Sequence, residues 1–207
     1  MKKINWIIPF MIAGFLIQGC SPGKTYDRML KRELASGVRY DSLFMGIYLG
    51  MTDKEFYTHC WDLNRDGLVK QGTKNTTVEY GMKEELRHPA TMDFYPEFAQ
   101  GKIIEMPVRF IYNGWSPWNK NLSSDSLQID VLHWYEEVYG AGFMAVQHPE
   151  RGTAFVKVNG NRRITIFKQD EMHVWAVFTD MLAIQELKDS TSTSESISDE
   201  IIQGFEE

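Results

Sequence analysis

The stretch Lys102–Tyr112 constrains this chain more than any other. Ile104, Met106, Val108, Phe110 and Tyr112 recur at every second position, with Glu105, Pro107 and Arg109 between them. A period of two marks a strand with one face against a core. Pro107 has no N–H to give a ladder, so the strand is expected at a sheet edge or to carry a bulge. Further strands are expected at Thr76–Leu86 and Met172–Thr179, and Asn159-Gly160 between Thr153–Val158 and Arg162–Lys168 is a strong hairpin signal. Two segments change to helical spacing. In Met51–Asn64, Phe56, Cys60 and Leu63 share one face, Thr52 with Glu55 forms a capping box, and Gly67 supplies a left-handed stop. Ser123 or Ser124 caps a second helix that runs to Tyr139, with Leu127, Val131, Trp134 and Val138 as its apolar stripe and Gly140 after it. The order helix, strands, helix, strands predicts an α+β fold. Two helices would pack on one face of an antiparallel sheet, as two α-then-β half repeats.

With 43% hydrophobic and 24% charged residues in 207, the chain has apolar matter for one ordinary core, placed at residues 41–180. Its net charge of -6 argues against a partner bound through a broadly basic surface, so no nucleic acid is expected. The excess acid is concentrated at one end. Glu186 to Glu207 holds seven acids and one base, and Ser190 to Ser196 is almost all Ser and Thr. Too little apolar surface is available there to offset ordering entropy, so 181–207 reads as an acidic, disordered tail.

The start of the chain has the three parts of an export signal. Lys2 and Lys3 precede an apolar run from Ile4 to Ile17, and Gly19 precedes Cys20. Pro9 interrupts that run, which is short for a membrane span. Leu16-Ile17-Gln18-Gly19-Cys20 resembles the lipobox of bacterial lipoproteins, departing from it mildly at Gln18. The resemblance implies removal of 1–19 and acylation of Cys20, leaving 20–40 as the lipidated terminus and spacer. Acyl chains contribute about 0.8 kcal/mol per buried CH₂, so a multiply acylated cysteine is a stable membrane anchor. Ser21-Pro22-Gly23-Lys24 lacks the aspartate that retains many lipoproteins in the inner membrane and the acidic run of some surface-exported ones. The address this implies is the periplasmic face of the outer membrane.

If Cys20 is lipidated, Cys60 has no disulfide partner, and its helical spacing makes it a buried small hydrophobe. His59 beside it points about 100° away on a helix and is poorly placed as its base. Asp62-x-Asn64-x-Asp66-Gly67 matches the start of a calcium loop, but Thr73 stands where the bidentate acid belongs and Lys70 falls inside the shell. Helix termination is the better reading. Asp130, His133 and Glu137 share a helical face, which is ordinarily a solvated one. The five histidines lack zinc spacing, and no nucleophile elbow or phosphate loop is present. Neither catalysis nor a cofactor or metal is expected.

Leu49-Gly50-Met51-Thr52-Asp53-Lys54-Glu55 resembles the Gly-x-Thr helix start of small lipoproteins of the outer-membrane β-barrel assembly machine and of β-lactamase-inhibitor-like α/β repeats. Asp66-Gly67 replaces the Leu-Gly-x-Pro that often follows. Such relatives bind proteins, and the resemblance implies a non-catalytic adaptor for an envelope protein. The alternative is a glycan- or small-ligand-binding lipoprotein using Trp115 and Trp118 in the loop Asn113–Asn119, because indole faces stack on flat apolar surfaces. Trp is highly buried on average, so both rings are expected to fold back onto the core. Asp41-Ser42-Leu43, Asp125-Ser126-Leu127 and Asp189-Ser190-Thr191 are similar to a three-residue O-glycosylation sequon of Bacteroidetes exported proteins.

Overall fold

The structure, a computed structural model, describes residues 22–72, 76–148 and 152–190. In chain order these form α1 (Pro22–Ala35), α2 (Asp53–Arg65), β1 (Lys70–Gln71), β2 (Val78–Met82), β3 (Ala90–Phe94), β4 (Glu97–Ala99) and β5 (Lys102–Tyr112). A short 3₁₀ turn (Lys120–Leu122) leads into α3 (Ser124–Tyr139), followed by β6 (Met144–His148), β7 (Gly152–Asn159), β8 (Arg162–Lys168) and β9 (Val174–Asp180). Residues 181–190 form α4, where the sequence reading had begun the tail. The fold is α+β, with one antiparallel nine-stranded sheet ordered β1-β2-β3-β5-β9-β8-β7-β6 and β4 paired to β5.

The alternation in β5 survives as Met106, Val108, Phe110 and Tyr112, all buried, and slips at its start, where Ile103 rather than Ile104 turns inward. The cause is a one-residue shift in the β4–β5 pairing between Glu97 and Phe98. β5 lies in the middle of the sheet, so the edge expectation for Pro107 is corrected and the bulge expectation met. Pro107 falls in the gap between the pairing with β3, which ends at Val108, and that with β4, which begins at Glu105.

The buried face of β5 continues through Met92 and Phe94, then Ile164, Ile166, Ala176 and Phe178. Onto it packs α3, with Phe110 against Tyr135 at 6.1 Å and Phe178 against Tyr139 at 5.4 Å between ring centroids. Burying each such large side chain contributes about 1.5–3 kcal/mol. The stripe read for α3 is half right. Leu127 and Val131 are buried, but Tyr135 takes the inner place expected of Trp134, and Val138 is exposed. The phenol ring reaches deeper into the core than its nominal polarity suggests.

The cap of α2 is as read: Thr52 Oγ1 accepts from the Glu55 N–H at 3.3 Å and the Glu55 carboxylate accepts from the Thr52 N–H at 2.9 Å. At α3 the N-cap Ser123 turns its hydroxyl back to donate to the Lys120 carbonyl. The β7–β8 loop is Gly160-Asn161, one residue later than read, since Asn159 pairs with Arg162. Gly160 has φ +53°, and a Cβ there would lie 2.1 Å from the Val38 carbonyl oxygen.

That contact ties the N-terminal segment down. Glu33 on α1 accepts from the Gly160 N–H at 3.2 Å, and the Tyr40 N–H donates to Asn161 Oδ1 at 2.7 Å. Arg39 pairs with Asp41 at 3.0 Å and with the buried Asp180 at 2.9 Å. Residues 22–40, expected to be spacer, are thus bonded to the hairpin and to the end of β9. Among the described residues no helix is long and apolar enough to cross a membrane.

Candidate functional site

Cys20 and residues 191–207 lie outside the described residues, so anchoring and the distal tail have no structural description. The two indoles of the aromatic loop part company. Trp115 is half-buried, its Nε1 donating to the Glu171 carbonyl at 3.2 Å, whereas Trp118 is 85% exposed. The expectation that both rings fold back is therefore corrected for Trp118, which stands in solvent on the connection between β5 and α3. Beside it opens a cleft of about 460 Å³ lined by Trp115, Lys120, Asp125, Lys168, Asp170 and Glu171. Lys168 pairs with Asp125 across it.

The other sequence candidates are occupied by neighbours. Asp62 pairs with Arg65 at 2.8 Å, Asn64 donates to the Val69 carbonyl at 3.0 Å, and Lys70 pairs with Glu79 at 2.8 Å. Asp130 does not share a solvated face with His133 and Glu137. It is buried and accepts from Tyr112 Oη and from Arg87 Nε, each at 2.5 Å, while the other two are exposed. Among the described residues no group of three His, Cys, Asp or Glu is placed to hold a metal. Cys60 is half-buried, burial pushes its thiol up to about 11, and His59 faces the Met45 carbonyl at 2.6 Å. Of the sequon residues, Ser42 is exposed and Ser126 donates to the Lys120 carbonyl at 3.2 Å.

The structure assembles a surface that the sequence reading missed. Tyr57 and Trp61 stand one turn apart on the outer side of α2, 51% and 64% exposed. Tyr95, from the β3–β4 connection, places its hydroxyl 2.6 Å from that of Tyr57. The Phe98 ring lies 6.2 Å from Tyr57 and 6.4 Å from Tyr95, and buried Phe56 supports all three. The Arg65 guanidinium sits 5.1 Å from the Trp61 ring centre. The hydrogen bond with Tyr57, and then burial, raise the Tyr95 hydroxyl to about 12, so at neutral pH it stays protonated and uncharged. This face has the Tyr, Trp and Arg composition of binding hot spots, with Tyr57, Tyr95 and Phe98 fixed by mutual contact and Trp61 covered by Arg65. Comparison of the chain with known protein families, with curated proteins and with solved structures finds no match.

Proposed function

We propose that this chain is a non-catalytic, lipid-anchored protein of a bacterial cell envelope that binds another envelope protein through the aromatic face of α2. The observation that carries the reading is the contiguous set Tyr57, Trp61, Tyr95 and Arg65 on a rigid base of Phe56 and Phe98. Exposed rings already held in place lose little conformational freedom on binding, which favours a protein partner. The lipobox ending at Cys20 supports anchoring at the periplasmic face of the outer membrane, and α1 begins only two residues later. We also read the molecule as two half units, α2 with β1–β5 and α3 with β6–β9, both helices on one face. The contacts of α2 with Phe98 of β4 and of α3 with Phe178 of β9 support that arrangement.

The test is affinity capture of tagged protein from crosslinked, detergent-solubilised envelopes of the native host. One protein should be recovered in near-stoichiometric amount, lost with Cys20→Ser, and reduced roughly tenfold or more by Tyr57→Ala with Trp61→Ala at unchanged melting temperature. Recovery that ignores the double substitution removes this face from the proposal, and repeated capture of nothing removes the adaptor. The exposure of Trp118 beside its cleft favours a second reading, a glycan or small ligand at the aromatic loop. Trp118→Ala would then abolish ligand binding and leave protein capture unchanged.

A further inference from the structure

Helix α1 keeps one side against the domain and turns the other outward. Tyr26, Met29, Leu30, Glu33 and Leu34 are half-buried, and the helix lies against β7. Glu33 accepts from the Gly160 N–H, and Arg163 Nη1 lies 3.5 Å from Tyr26 Oη. At about 100° per residue, the direction opposite that side falls on Arg28, Lys31 and Arg32, all exposed. Lys24 stands seven residues before Lys31, the spacing that continues the same stripe. Asp27 is exposed at its margin, and Arg32 pairs with the adjacent Glu33 at 2.9 Å while keeping 76% of its side chain exposed. Residues 22–40 hold five bases and two acids, whereas residues 41–207 hold 15 bases and 26 acids.

We infer that the outer side of α1 binds the anionic headgroups of a phospholipid bilayer. Charge complementarity selects the partner: the basic stripe attracts a negative surface, and the acidic remainder of the chain is repelled by it, so this side turns to face it. Position brings the two together. α1 begins two residues after Cys20, and two residues span at most about 7 Å, so a lipid there holds the first turn within the screening length of about 8 Å. Over that range each Lys or Arg strengthens binding to an anionic bilayer by about fivefold. The inner side stays bonded to the β7–β8 turn, so the helix lies along the headgroups without leaving the domain. The inference rests on the anchored reading, which brings α1 to a bilayer, and adds which side of the domain meets it.

Co-sedimentation with vesicles tests this, using the chain from residue 20 with Cys20→Ser, which keeps every described residue and carries no lipid. Vesicles of phosphatidylcholine and phosphatidylglycerol in equal parts should bind it at low salt, and vesicles of phosphatidylcholine alone should not. Lys31→Gln should weaken binding about fivefold, and Arg28→Gln with Lys31→Gln about twentyfold or more, at unchanged melting temperature because glutamine keeps the helix propensity. Lys83→Gln with Lys120→Gln removes as much charge at the other end of the sheet and should leave binding nearly unchanged. If the Arg28 and Lys31 double variant melts lower, Lys31→Gln alone decides. No binding to the anionic vesicles overturns the inference, as does an equal loss in the Lys83 and Lys120 variant. Neither result bears on acylation of Cys20, which the capture experiment reads separately, so the two readings fail independently.

Discussion

Burial decides the chemistry of Cys60 more than its neighbour in the chain does. A thiol at about 11 is about one part in a thousand thiolate at pH 8, and His59 is turned to a backbone carbonyl. In a Cys20→Ser background, iodoacetamide at pH 8 should therefore modify the native chain about a hundredfold more slowly than the urea-unfolded chain. Mass spectrometry against time reads this, and fast native labelling would contradict the burial described here. This much follows from helical spacing alone. The pairing of Asp130 with Tyr112 and Arg87 does not, because those partners come from β5 and the β2–β3 connection. A helical wheel shows an acid beside a histidine and cannot show that the acid faces inward.

Elements whose signals are local were legible: the capping box of α2, the alternation of β5, and the β7–β8 hairpin. β3 was missed although Ala90, Met92 and Phe94 alternate with Thr91 and Asp93, because Pro89 and Pro96 bracket so short a run that it reads as loop. Tyr57 and Trp61 were readable as an aromatic pair on the outer side of α2, but Tyr95 comes from the β3–β4 connection and needed the fold. The docking of α1 was equally non-local, and it depends on pH. Glu33 is held below its ordinary value, chiefly by the Gly160 N–H it accepts from and then by Arg32. A carboxyl depressed by folding adds stability that is full above its unfolded pKa and is lost as pH falls through its folded one. Hydrogen exchange in residues 22–35, corrected for intrinsic rate, should accelerate relative to β5 as pH falls below the carboxylate range. Glu33→Gln should remove that differential step, and α1 protection that stays constant in acid would count against the contact.

At the scale of the whole molecule, the N-terminal segment is bonded along its length to one end of the sheet, where β7 turns into β8 and β9 leads into α4. Arg39 reaches Asp180, and Tyr40 bonds Asn161, both partners being almost fully buried where β9 leads into α4. Asp180 Oδ1 also accepts from the Leu182 and Ala183 N–H groups at the start of α4. Removing residues 1–40 therefore strips Asp180 of its ionic partner, leaves Asn161 Oδ1 without the Tyr40 N–H, and takes α1 away from β7. Arg39 is half exposed, so losing its pair with Asp180 costs about 1 kcal/mol, and leaving the buried Asn161 oxygen without a donor costs about 1–3 kcal/mol more, about 3 kcal/mol in all. For a domain of this size about 3 kcal/mol lowers the melting temperature by about 6–12 °C. A chain of residues 22–190 is expected to melt with the full-length protein, and one of residues 41–190 to melt lower by that amount. Equal melting of the two would mean that 22–40 only rests on the sheet, and a lipid on Cys20 would then tether the domain loosely. The expected loss would mean that 22–40 is part of the folded domain, so that a lipid on Cys20 would hold the domain through α1 and the junction of β9 with α4 rather than through a loose linker.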